Sequence, residues 1–307
     1  MMDKIQIELL KQIADLEKMP KGAYNLRVDG KGVERNTTAE IDIQTKKDKP
    51  GIDIFIKPNT VGKSVHIPVM ITQTGLSDLV YNDFYVGENC DVVIVAGCGI
   101  YNCGVHKSEH DGIHTFHIGK NSKVRYVEKH LGIGEQNSQK VLNPTTRVYL
   151  KDGSQMKMET TQIGGVTSAD RKTFAKLGDN SNLVIEEKIL TTEDQTAKTK
   201  FVVNLVGKKS TVEVLSRSVA KNNSTQKFKS VVIGKNECFG HVECDGIIID
   251  NGKISSMPEV RAEHIESTLT HEASIGKIAG DQLIKLQTLG LTESEAEQVI
   301  INSFMLG

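Results

Sequence analysis

The period of the hydrophobic positions changes twice along this chain and divides it into three stretches. Over residues 3–18, Ile5, Leu9, Ile13 and Leu16 recur at three and four residues with Lys, Glu and Asp between them. That spacing predicts an amphipathic helix, closed by Pro20 and Gly22. From about residue 25 the period falls to two, as in Ile41 and Ile43, then Ile52, Ile54 and Ile56, which is the mark of strands with one buried face. Near residue 270 helical spacing returns in HEASIGKIAGDQLIKLQTLG, through Ile275, Ile278, Leu283, Leu286 and Leu289, with Gly290 as a stop. Thr292 and Glu295 then form a T-x-x-E capping box for a second short helix. The expected organisation is an N-terminal helix over 1–24, a β core over 25–268 and a helical region over 269–307.

The β stretch repeats itself. An apolar residue, usually Gly, a polar pair, a small residue and then alternating apolar positions appear in VGENCDVVI, IGKNSKVRY, LKDGSQMKM, LGDNSNLVI and VGKKSTVEV. IGKNECFGHV is a looser copy and VGKSVHI a shortened one, and successive copies start 25 to 32 residues apart. Gly and Asn adopt positive φ cheaply, so each copy opens on a tight corner. The strand that follows points alternate side chains inward, such as Val124 and Tyr126, or Leu183 and Ile185. One corner plus short strands at near-constant length predicts a mainly β fold, a parallel β-helix whose stacked turns bury what one turn alone cannot. A β-sandwich of hairpins is the alternative, but its turns recur every 8–12 residues or so. The two C-terminal helices would cap the solenoid or offer a partner-binding face.

Composition narrows the function. Lys and Arg number 38 against 39 Asp and Glu, so no global field draws the chain to nucleic acid or to an anionic membrane. No apolar run approaches the roughly 20 residues of a membrane span. The first residues carry acids among their apolar positions and do not read as a secretory signal. Five cysteines in 307 residues point to a reducing, cytoplasmic setting with free thiols or metal ligands. Trp is absent and aromatic residues make 5%, which leaves little surface for stacking sugars or bases. There is no G-x-x-x-x-G-K-[ST] loop, so the chain is not expected to hydrolyse ATP itself.

Candidate chemistry concentrates in CGIYNCGVHKSEHDGIHTFH, which places Cys98, Cys103, His106, His110, His114 and His117 within twenty residues. Thiolates and imidazoles are ligands for iron, zinc and iron–sulfur clusters. Cys98 and Cys103 lead this set as metal ligands, with His106 and His110 behind them. The C-x4-C-x2-H spacing matches no standard zinc finger, and a polar loop of solvated histidines is the other reading. Cys238 and Cys244 flank the last corner, where a buried thiol often serves as a small apolar residue. His271 and Glu272 stand where strands give way to helices, and a carboxylate there can simply favour a helix N-terminus.

The segments VLNPTTRVYLKDGSQMKMETTQIGG, SRSVAKNNSTQKF, GHVECDGIII and LTHEASIGKIAGDQLIKLQTLGLTESEAEQVIINSF make the chain resemble the SufB/SufD family over roughly residues 120–307. The resemblance implies a right-handed β-helix with helical ends. It also implies a scaffold on which a nascent, transient iron–sulfur cluster is built, with a SufC-like ABC ATPase on the C-terminal helices. Paired subunits would meet through their β-helices, here as a homodimer fed by a sulfur donor and an iron source. His271 and Glu272 match the family's H-E pair beside the cluster-building site. One departure matters: aligning NGKISSMP on Pro258 puts Gly252 where SufB carries its site cysteine and Ser255 where the next histidine stands. The chain is then either a SufD-like non-catalytic partner or a minimal scaffold with its ligands elsewhere, and the Cys98–His117 cluster favours the second. Cys98, Cys103, Cys244, His271 and Glu272 are the expected cluster-holding residues. A β-helix polysaccharide lyase or hydrolase is the alternative from another class, but it would need a row of carboxylates and aromatic subsites.

Overall fold

The computed structural model describes residues 2–306. Strands from alternate sides of each turn stack into two long, almost wholly parallel sheets, giving a β-solenoid of about eight turns. Among the described residues antiparallel pairs occur only at the first rung, between Ala23–Val28 and Lys31–Asn36 and between Ile41–Thr45 and Gly51–Ile56. The alternation expected from the sequence sets the core: Phe84, Phe116, Tyr126, Leu183, Ile185 and Phe201 are all fully buried in the lumen between the sheets.

The corners divide their work among three residues. Positive φ falls on Asn89, Asn121, Asn180 and Lys209, and on Gly153 in the third copy. The glycine two residues earlier serves close approach instead: a Cβ on Gly119 would lie 2.4 Å from the Gly87 carbonyl oxygen of the rung below. The small residue after the corner turns its side chain back to bond the corner. Ser122 Oγ donates to Gly87 O at 2.7 Å and Ser181 Oγ to Gly178 O at 2.7 Å. Cys90 fills the equivalent place, its Sγ donating to Lys57 O at 3.1 Å. Cys238 does likewise against Ser267 Oγ at 3.5 Å. These two thiols are structural.

The first helix, α1 (Lys4–Ala14), starts on a capping box between Asp3 and Gln6 and stops at Asp15, which takes the left-handed conformation well before Pro20. Leu9, Leu10 and Ile13 are fully buried on the outer face of the strand Asp91–Asn102, where Gly97 and Gly99 leave room. A Cβ on Gly97 would stand 2.4 Å from the Ile13 carbonyl oxygen. Ile5, expected in the stripe, is exposed.

At the other end, HEASIGK belongs to a strand, Ser267–Lys277, which pairs along its whole length with Cys238–Ile248. The ladder outweighs the helical spacing there, so the helical region begins near 280 rather than 269. Helix α2 (Gly280–Thr288) buries no residue, and α3 (Glu293–Leu306) begins on the expected box, with Glu295 N donating to Thr292 Oγ1 at 3.3 Å. Ile301 packs α3 against Val219 and Ile249 on the flank of the solenoid. The last rung, Lys253–Ala262 with Ser267–Lys277, therefore keeps two unpaired strand edges, and Met257 and Val260 on it are exposed.

Candidate functional site

Inward positions of a solenoid should be apolar, because an unpaired polar group there costs free energy. In this chain a line of polar residues breaks that rule from the first rung to one rung short of the last. Register places Glu128, Thr160, Glu187, Ser216 and Cys244 one above the next on one sheet, at the 4.8 Å or so between strands. The next inward column carries Cys98, His130 and Gln162. The facing sheet contributes Asp78 beside His110, and further along Arg171 beside Thr199.

The line starts at an open cavity of about 870 Å³ by the first rung, lined among others by Arg27, Arg35, Asp78 and Asn82. Arg27 grips Asp78 with two bonds, Nε to Oδ2 at 2.9 Å and Nη2 to Oδ1 at 2.5 Å, and His110 Nδ1 lies 3.1 Å from Oδ2. Burial would raise the Asp78 carboxyl, but Arg27 and His110 overrule it and hold it well below the usual carboxylate range. Behind His110, a cavity of about 10 Å³ is lined by Cys98, His110, His114, Glu128 and His130, room for one water at most.

Arg171 sits at the centre of the seam. Its Nη1 donates to Glu128 Oε2 at 3.3 Å, its Nη2 to His130 Nδ1 at 3.0 Å, and its Nε lies 3.1 Å from Glu187 Oε1. Because Nδ1 accepts, His130 is neutral with its proton on Nε2, 3.4 Å from Glu128 Oε1. One guanidinium balances one carboxylate. Glu128 is that carboxylate: burial opposes its charge, but the His130 Nε2–H and the Arg171 guanidinium hold it ionised. Glu187 is surplus, and burial raises it to about 7 against the pull of Arg171. His114 stays neutral, lowered to about 4 by burial, with Nδ1 bonded to Tyr126 OH at 2.8 Å. Gln162, fully buried, finds no partner for either end of its amide, which marks space for water or a small polar guest.

The seam ends one rung below the open edge. Cys244 is fully buried beside Ser256, and burial raises its thiol. On the last strand His271 is half-buried with its Nε2 enclosed and unpartnered, whereas Glu272 faces out, alongside Glu243. Gly252 admits no side chain, since a Cβ would sit 2.2 Å from the Ala220 carbonyl oxygen. Ser255 is exposed. No thiol fits that corner on this backbone.

The residues singled out in the sequence separate accordingly. Cys98 and His110 come together on the small cavity, and burial pushes the Cys98 thiol well up. Cys103 and His106 lie exposed in the loop after Asn102, and His117 is outside, stacked between Tyr85 and Tyr149 at 5.0 and 5.3 Å. Among the described residues no three His, Cys, Asp or Glu converge as a metal site within one chain. Asp78, Glu128, Arg171 and Glu187 were missed. Their signal was present as a charge at inward parity: Glu128 follows Val124 and Tyr126, and Glu187 follows Leu183 and Ile185, each at steps of two.

The model of the SUF system FeS cluster assembly SufBD core domain matches residues 79–304. An iron–sulfur cluster assembly SufBD family protein of Methanothermobacter thermautotrophicus (strain Winter) is 28% identical over 73% of this chain and 54% of its own length. One from Pyrococcus horikoshii is 26% identical over 91% of this chain and 81% of its own length. One from Archaeoglobus fulgidus is 25% identical over 80% of this chain and 66% of its own length. The chain thus spans about half the length of the Methanothermobacter relatives it matches. No helix among the described residues is long and apolar enough to cross a membrane.

Proposed function

This chain belongs to the SufBD core family, whose business is iron–sulfur cluster assembly, and on that premise we propose that it is an assembly scaffold. Iron and sulfide are its cargo, and it turns over neither ATP nor an organic substrate itself. The observation that carries the reading is the polar seam, which keeps costly charged groups in the lumen and ends on Cys244, one rung below the open edge. A stability-only core would fill those positions with apolar side chains. Two copies meeting through the unpaired edges of the last rung would bring two sets of Cys244, His271 and Glu272 towards one interface. That would supply the third and fourth ligands a single chain lacks. Cys98 serves the seam from within, and Cys103 is free for exchange with a sulfur donor. A SufC-like ABC ATPase docks on α2 and α3, where Ile284, Leu289 and Val299 are exposed.

Sedimentation of the chain in the absence and presence of iron and sulfide tests the shared site. A dimer that cargo tightens agrees with it. A monomer that binds the same cargo overturns it. One observation favours a second reading, that of a SufD-like partner: the Cys98 and Cys244 thiols are both raised by burial and so resist the thiolate form that binds iron.

A further inference from the structure

The near-zero net charge conceals a segregation that only the fold makes visible. On four consecutive strands of one sheet, Ser168–Leu177, Thr196–Leu205, Thr225–Gly234 and Lys253–Ala262, the outward positions carry Lys172, Lys176, Lys198, Lys200, Lys227, Lys229 and Lys253. Register stacks Lys172, Lys200 and Lys229 in one column and Lys198 and Lys227 in the next. Lys198, Lys200, Lys227 and Lys229 are all exposed and form a rectangle roughly 5 by 7 Å on the pleated face. The acids outward on these strands, Asp170 and Glu259, are already paired to Lys172 and Arg261. Among the described residues none of the four central lysines has an ion-pair partner.

We propose that this lysine face is a docking surface for a partner protein presenting carboxylates. Four like charges at ladder spacing repel one another, and an anionic partner relieves that repulsion. The chemistry favours a protein over a nucleic acid. The central cations are all Lys, point charges without the bidentate fork that Arg offers to phosphate. No ring is interleaved among them for bases to stack on; Phe174 lies one column over. Exposed Phe174 and half-buried Val202 instead run in register beside the lysine column, and exposed Met257 follows Lys229. This is an apolar strip edged with charge, as protein interfaces have. The face lies outside the lumen, so it is distinct from the seam, and its test uses neither iron nor sulfide.

The probe is a fluorescent peptide of about 20 residues alternating Glu and Ala. Anisotropy with the full chain is followed from about 50 to about 200 mM salt, over which a multi-charge contact should weaken at least tenfold. The combined variant Lys198→Gln, Lys200→Gln, Lys227→Gln, Lys229→Gln should weaken peptide binding at least tenfold at low salt. Arg at the same four positions should keep it, which separates loss of charge from loss of fold. Lys18→Gln with Lys21→Gln should change nothing. Peptide binding that survives the quadruple Gln variant overturns the proposal. So does tighter binding of a single-stranded DNA of equal charge, or of anionic vesicles.

Discussion

The residue that most sharply tests the electrostatics of the seam is Glu187. Its pKa in the folded chain, about 7, stands above the ordinary 4.5 because burial penalises the carboxylate. A raised carboxyl makes the folded state hold its proton more tightly than the unfolded chain does. Stability is therefore lost as pH climbs from about 4.5 through about 7, by about 3 kcal/mol over the window. His114, lowered to about 4, acts in the opposite sense and costs stability as pH falls from about 6.5 to about 4. Glu187→Gln should remove the first effect alone. Urea unfolding at pH 5 and pH 8 should show the variant gaining about 3 kcal/mol on the parent between the two. Equal differences at both values would mean that Glu187 is ionised in the fold. Arg171→Met leaves Glu128 buried without its cation and should cost about 3–5 kcal/mol; a loss below 1 would show that water already reaches the seam.

At the scale of elements, α1 is held by a platform that depends on two glycines. Gly97→Val puts side-chain atoms where the Ile13 carbonyl lies, so α1 must lift and expose Leu9, Leu10 and Ile13. Each of these contributes about 2 kcal/mol of burial. Hydrogen exchange should then show residues 4–14 unprotected while the strands from 123 onward keep their protection. Protected α1 amides would contradict the platform. The C-terminal pair is the opposite case, with exposed apolar side chains and nothing buried in α2. Deleting residues 278–307 should abolish co-purification with a SufC-like ATPase and leave the solenoid folded, as its far-ultraviolet circular dichroism would report. Binding retained by the truncated chain would move the docking site elsewhere. The elements also show what could be read in advance. The period-two runs and the corner repeats carried the solenoid, because each rung repeats one local solution. The stretch HEASIGK misled, because its helical spacing is local whereas its ladder partner lies about thirty residues away.

For the whole molecule, inward parity made Glu128, Arg171 and Glu187 legible in principle, one at a time. That they form one seam with Cys98 and Cys244 depends on rung register, which insertions of two to seven residues between corners shift beyond sequence reach. Cys98 and Cys103 looked like a pair because they are five residues apart. An odd spacing in a strand sends two side chains to opposite faces, and Cys103 lies past the strand end as well. The proposed scaffold depends on Cys244, one rung below the open edge, holding the nascent cluster between two copies. The deciding measurement is anaerobic reconstitution with iron and sulfide, read as the visible sulfide-to-iron absorption per chain. Cys244→Ser should lose most of that absorption with its melting unchanged, while Cys90→Ser, at a structural corner, keeps it. If Cys244→Ser binds as much iron and sulfide as the parent, the cluster is not held at Cys244.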